Sequence, residues 1–392
     1  MKKIILLSAM ASSMLLATNG DNLISLGAES RAMGGTGVAM PMGTDSVFRN
    51  PSWLADIEGA EAMFGATLFM PDVTFTNAGS GNGQAGESSA DKSLIPAVAH
   101  ADRINENWAY GVGMFGVSGM GTDYRGEAPA KRLGEMRTNF QYMRFVPSIA
   151  YKENDLRVGA GLTLAYGALD IASLDATATQ RGGGMSDDFG YGLQLGIGYT
   201  PTPNINLGAY YQSEIETEYK KVYDFNSDGI YDDLKLSQPS EYGVGIGYKR
   251  DKLKLTADVK QILWSKADGY KQFGWDDQTV IAVGGGYQVT PKMELRAGYS
   301  YAESPLDETF EGASISSANV PFPAAGVAQF NIAGFPAISK EHITAGVGYK
   351  FSKKIGIDLA FVYSPKETIS AYGFTATNEQ KSLSGALKYK FN

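Results

Sequence analysis

The sequence predicts an all-β fold: a transmembrane antiparallel β-barrel of about fourteen strands with an N-terminal hatch plugging the lumen. Three observations point there. Apolar residues alternate with small or polar ones at period two in segment after segment, and short links alternate with long ones between those segments. The chain also opens on a secretory leader, yet holds no later apolar run long enough for a membrane helix.

The alternation is clearest in Leu156, Val158, Ala160, Leu162, Leu164 and Tyr166, interleaved with Arg157, Gly159, Gly161, Thr163, Ala165 and Gly167. Successive side chains of a strand face opposite sides, so this segment has one greasy face and one small or polar face. Residues 193–199, 242–248, 281–287, 343–351, 355–363 and 383–391 repeat the pattern. A Tyr or Phe closes each apolar row, which is where the interfacial aromatic girdles of a membrane barrel fall. A soluble sandwich would bury its large apolar residues without this punctuation.

Short links fall near Asn105 and at 153–155, 201–203, 250–251, 290–291 and 352–353. Long ones fall at 76–92, 119–136, 172–187, 218–237, 265–276, 305–338 and 370–378. Outer-membrane barrels have short periplasmic turns, long external loops and both termini on the periplasmic side, so the alternation fixes the orientation.

The leader is residues 1–20. Lys2 and Lys3 precede an apolar stretch of roughly 14 residues, too short to span a bilayer as a helix, with cleavage after Ala17 or after Gly20. Residues 21–58 do not alternate and form the candidate plug; residues 59–392 form the barrel. The inward face carries Gly196, Gly198, Gly245, Gly284 and Gly346, which either admit a close approach by the plug or ease barrel curvature.

Composition narrows the function. With no cysteine, thiol chemistry, disulfides and an N-terminal lipid anchor are excluded. A net charge of −8 gives no basic field for nucleic acid. Histidine occurs only at His100 and His342, and neither a Gly-x-Ser-x-Gly turn nor a His-Glu-x-x-His motif is present, so no enzyme is expected.

Within the plug the sequence reads Gly27-Ala28-Glu29-Ser30-Arg31-Ala32-Met33-Gly34-Gly35, then Asp45-Ser46-Val47-Phe48-Arg49-Asn50-Pro51-Ser52. This resembles the N-terminal hatch of the FadL/TodX family of outer-membrane transporters for hydrophobic compounds, with Arg31, Gly34, Gly35, Asn50 and Pro51 at its pattern positions. Ser52 stands where the family usually has Ala. The resemblance implies passive uptake of long-chain fatty acids or aromatic hydrocarbons across the cell outer membrane. The molecule is captured at the outer loops, held in a lumenal site beside the hatch, and released sideways where the third strand kinks. The partners are then the hydrophobic solute and outer-membrane lipid.

Individual residues can be assigned to these steps. The third strand, Trp108–Ser118, holds Gly116 and is followed by Gly119, while Pro96 removes a ladder donor from the second; these three mark the expected exit. The sixth long link is the greasy one, and its Phe322, Phe330 and Phe335 are assigned to outer capture unless the loop folds over the barrel mouth. Arg144 and Arg157 face inward on strands joined by one short turn, and could share a level and pair with a buried carboxylate ligand. Asp224, Asn226, Asp228 and Asp232 match the front of a calcium loop spanning 224–233, with Lys235 replacing the usual bidentate Glu. The competing reading is an open polar porin or a surface adhesin.

Overall fold

The computed structural model describes residues 18–78, 85–126, 135–174, 179–315 and 320–391. The leader therefore lies outside the described residues except for its last three positions.

Fourteen barrel strands follow one another: β1 (Glu61–Asn77), β2 (Ser93–Arg103), β3 (Trp108–Ser118), β4 (Arg137–Glu153), β5 (Leu156–Ala172), β6 (Ser186–Thr202) and β7 (Ile205–Gln212). Then come β8 (Glu241–Arg250), β9 (Leu253–Ile262), β10 (Gln278–Thr290), β11 (Met293–Ala302), β12 (Glu341–Lys350), β13 (Ile355–Ala371) and β14 (Phe374–Lys390). Each pairs antiparallel with the next, and β14 returns to β1 through seventeen residue pairs from Phe374↔Asn77 to Lys390↔Glu61. Closure satisfies the backbone from within, which lipid demands because each unpaired N–H or C=O there costs several kcal/mol.

The pleat sorts side chains as the alternation requires. Leu162, Leu164, Leu193, Leu195, Ile197, Val244 and Ile246 are exposed on the outer wall, while Thr163, Gln194, Thr256, Asp258 and Thr344 are buried in the lumen. Among the described residues no helix is long and apolar enough to cross a membrane. At the turn end the aromatic rings pair along the wall: Trp108 with Tyr151 at 4.8 Å, and Tyr389 with Phe391 at 5.0 Å between centroids. Phe189 and Tyr191, 73% and 78% exposed, mark the opposite girdle.

Two expected features differ. The seventh long link is absent: β13 and β14 meet at Tyr372–Gly373, with Gly373 at φ +81°. Beyond the bilayer a hairpin needs no greasy outer face, so its Ser- and Thr-rich residues escape a test for membrane alternation. The fourth link also holds its own hairpin, residues 218–223 against 232–235.

Candidate functional site

The lumen is filled by residues 18–58. Thr18–Asn19 run antiparallel to Asn22–Leu23 about Gly20 at φ +65°. The chain then forms α1 (Ala28–Ala32), turns through Gly34 and Gly35 at φ +73° and +80°, and continues in two 3-10 turns to Asp56. Only glycine adopts that pair of left-handed conformations without strain.

The inward glycines admit the hatch main chain. Cβ atoms on Gly284 and Gly298 would collide with Met33–Gly34, one on Gly208 with Val38–Ala39, and one on Gly196 with Asn50. Of the two sequence readings, close approach therefore holds at these positions.

Asn50 closes the hatch. Its Nδ2 donates to the carbonyls of Val38 (2.8 Å) and of Ile197 on β6 (3.0 Å). Its Oδ1 accepts from the N–H of Ser52 (3.1 Å) and from the Ser52 hydroxyl (2.6 Å), so the serine at the alanine position reinforces this turn. Arg31 is wholly buried and donates to Ser25 O at 2.9 Å and to Ser382 Oγ on β14 at 2.7 Å. Asp258 on β9 accepts from the N–H groups of Gly37 (2.7 Å) and Val38 (3.0 Å).

An ion cluster fastens α1 to the wall. Glu29 meets Lys254 of β9 at 2.9 Å, Arg296 of β11 at 3.2 Å and Lys388 of β14 at 3.0 Å. Asp358 of β13 completes it, at 2.5 Å from Arg296 and 3.0 Å from Lys388. Burial alone would raise the Glu29 pKa, but the three cations outweigh it and hold the carboxyl well below its ordinary range. Nearby Asp45 differs: its oxygens are buried without a hydrogen bond, and Lys388 lies 3.7 Å away. Burial pushes the Asp45 carboxyl up to about 7.

At the periplasmic end Asp56 takes Lys152 at 2.8 Å and Arg157 at 2.7 Å, and Arg157 stacks over Trp53 at 5.2 Å. This corrects the assignment of Arg157 to ligand binding. Its ladder partner is Lys152, whereas that of Arg144 is Ala165, so the two arginines lie eight residues apart along the wall, roughly 25 Å, and share no level. Arg144 makes no salt bridge among the described residues. Its Nε is buried without a partner and its guanidinium lies 5.8 Å from the Tyr142 ring centroid. Lys260 of β9 is also buried, without a salt bridge among the described residues, beside a small cavity lined by Asn19, Arg49 and Asp258.

The sixth loop folds over the mouth. Residues 320–322, α2 (Ala324–Gln329) and a π-turn at Phe330–Gly334 form a lid. Asn331 accepts from Trp275 Nε1 at 2.8 Å and donates to Phe273 O at 2.7 Å; Thr122 and Thr138 donate to the carbonyls of Ala333 (2.8 Å) and Gly334 (2.6 Å). Phe330 and Phe335 are only 5% and 3% exposed, and Phe330 stacks on Phe273 at 4.2 Å. The open capture surface expected of them is therefore corrected: these apolar side chains gain more by packing on the loops beneath than by facing water. Phe322 alone stays half-buried, edge-on to Phe225 at 5.6 Å.

The wall is interrupted where the third strand was expected to kink. The β2–β3 ladder runs from Arg103↔Ala109 to Ala97↔Phe115 and stops. Pro96 pairs onward only with Ala66 of β1, and Val117 bulges between Gly116↔Met143 and Ser118↔Tyr142 on β4. Beyond the break β3 is met by the hatch: Ser118 pairs with Asn22, and Gly119 N–H points at Asp21 O at 3.4 Å. Leu23 and Leu26 of the hatch line a cavity of about 10 Å³ here with Ile95, Pro96 and Gly116.

In the fourth loop, Asp224 accepts from the N–H groups of Asp228 (3.2 Å) and Gly229 (3.0 Å), Asn226 Oδ1 from that of Asp228 (3.1 Å) and Asp228 from that of Ile230 (2.8 Å). Asp232 accepts from the N–H of Phe225 at 3.1 Å. These oxygens are turned onto their own loop, and among the described residues no group of three or more acidic or histidine side chains is arranged to hold a metal.

A closed fourteen-strand barrel, an ion-paired plug and a gap in one wall define an outer-membrane transport channel. The chain belongs to the family of outer membrane protein transport proteins (OMPP1/FadL/TodX), whose model matches residues 7–391. It is similar to a 47 kDa outer membrane protein of Pasteurella multocida, at 23% identity over 385 residues, 85% of this chain and 84% of that one. It is also similar to the long-chain fatty acid transport protein of Escherichia coli K12, at 21% identity over 408 residues and 86% and 85% coverage. Among solved structures, the toluene transporter TodX of Pseudomonas putida superposes with a TM-score of 0.73 at 21% identity, covering 95% of this chain and 100% of that one.

Proposed function

We propose that the chain takes up hydrophobic molecules, long-chain fatty acids or aromatic hydrocarbons, and releases them sideways through the wall beside Gly116. The observation that carries this reading is the ended β2–β3 ladder, with a small hatch-lined cavity of about 10 Å³ behind it. An apolar solute leaving there passes into lipid and needs no aqueous channel. The solute meets the outer loops at Phe322, enters as the Phe330–Phe335 lid shifts, and passes the hatch residues Leu23 and Leu26. Arg144 and Lys260, without salt bridges in the lumen, suit a carboxylate head and favour an amphipathic acid over a plain hydrocarbon. A polar porin fits poorly, because the hatch fills the lumen.

The test is uptake by cells whose only such channel is this protein. Labelled fatty acid and labelled toluene are offered alongside a small sugar. Uptake of an apolar solute without the sugar is expected; sugar uptake without either would support the porin. Arg144→Gln and Lys260→Gln should weaken fatty-acid uptake about tenfold each while leaving toluene unchanged.

A further inference from the structure

Below the hatch the barrel opens to the periplasm in a vestibule of ≈ 810 Å³ that the transport path does not use. Its lining holds ten cations against seven carboxylates, in a chain whose net charge is −8. The cations at its floor, Lys254, Arg296 and Lys388, are consumed by Glu29, Glu294 and Asp358. At its rim Lys390 meets Glu58 at 3.4 Å, but most of the cations there are not so held. Lys249, Lys252, Lys292, Lys350 and Lys353 form no ion pair among the described residues. They come from β8, β12 and the three turns β8–β9, β10–β11 and β12–β13. The opposite turns, residues 104–107, 154–155 and 203–204, carry Glu106 and Asp155 and no basic residue. The periplasmic face is thus polarised, basic over one half and mildly acidic over the other.

We propose that this vestibule is a docking socket for an acidic, extended segment of a periplasmic protein. Spacing selects the occupant. From β8 to β12 the rim spans four interstrand steps, roughly 20 Å of arc. One phosphate or carboxylate reaches only one or two of these ammonium groups, whereas carboxylates spaced along an extended chain reach most of them. Lys249 and Lys350 stand on the lumen side of the pleat, turned from the bilayer, so a lipid headgroup is not the match. Lysine also suits a mobile partner: its ammonium is a flexible point charge, without the rigid fork that arginine offers a planar oxyanion. The field steers the segment to the basic half, and the acidic half sets its direction.

The test uses the full-length protein in zwitterionic lipid nanodiscs and a fluorescein-labelled oligoglutamate peptide, followed by fluorescence anisotropy. Saturable, salt-sensitive binding is expected, absent for the matching oligoglutamine. The Lys249→Glu/Lys350→Glu/Lys353→Glu protein should bind roughly tenfold more weakly or worse. Reversal of Lys220, Lys221 and Lys235 on the outer loops should change nothing. Should the triple variant fail to insert, carbodiimide cross-linking of the peptide to the parent protein, mapped by mass spectrometry, should mark the same rim lysines. Equal loss on reversing the outer lysines, cross-links elsewhere, or inorganic phosphate competing as well as the peptide would overturn the proposal.

Discussion

Two sides of one barrel treat the same hatch in opposite ways. Along β9, β11, β13 and β14 the hatch is clamped: Glu29 is held by three cations, and the wall ladders are continuous behind them. Along β2 and β3 no ion pair holds it among the described residues: Asn22 bridges to Ser118, Phe48 packs on Phe115 at 4.0 Å, Arg103 donates to Ile57 O at 3.0 Å, and leucines 23 and 26 lie where the ladder ends. Buried ion pairs bring little net stability but make separation costly, because either partner alone is an unpaired charge. Apolar contacts can open and reform without such a penalty. On the proposed exit route the plug need not leave the barrel for a solute to pass. Only its N-terminal arm, residues 18–26, has to yield.

The largest expected effect removes both sides at once. Deleting residues 21–52 should leave a folded, heat-modifiable barrel, since strand pairing is independent of the hatch, and should greatly raise conductance in planar bilayers. Unchanged conductance would show that these residues do not plug the lumen.

Breaking the clamp alone comes next. Glu29→Ala leaves Lys254, Arg296 and Lys388 short of one carboxylate, at a cost of about 3–5 kcal/mol to hatch docking. Residues 21–58 should then become protease-sensitive. Leu26→Ala, on the apposed side, should leave that protection intact and alter uptake only.

A pH effect sharpens the contrast within the clamp. The Asp45 carboxyl is raised from 3.8 to about 7 in the fold, so the folded state holds its proton longer than the unfolded one. Its contribution to hatch stability is full below about pH 4 and is lost as pH rises toward 7. Asp45→Asn should remove that slope, with a gain over the parent that grows between those values and then levels. A gain independent of pH would refute the assignment. The smallest effect belongs to the fourth loop. Its Asx turns are closed by their own N–H groups, so Asp228→Ala should loosen residues 218–237 against proteolysis by only about 1 kcal/mol.

The wall was the most legible part. Period two with aromatic ends is forced by lipid outside and hatch inside, so Trp108–Ser118 could be bounded to the residue. The hatch motif was equally plain, because Gly34 and Gly35 take left-handed conformations that few residues tolerate and Asn50 bonds through both ends of its amide. Sequence reasoning failed where three-dimensional register decides. Arg144 and Arg157 share a hairpin but not a height. Phe330 and Phe335 read as an exposed greasy patch because apolarity does not say which way a loop folds. Glu29 was missed, although its partners Lys254, Arg296 and Lys388 all fall on inward positions; an acid in the plug facing three inward cations was the available signal.

On the proposed route, solute leaves between β2 and β3. A Cβ at Gly116 would lie 2.7 Å from Ile95 Cγ2, so a bulky side chain there must fill the gap while the clamp on the far wall stays untouched. The direct measurement compares Gly116→Leu with the parent for surface binding and for uptake of a labelled long-chain fatty acid. Retained binding with uptake reduced at least tenfold is the predicted result. Normal uptake by a correctly folded Gly116→Leu protein would contradict lateral exit at this point.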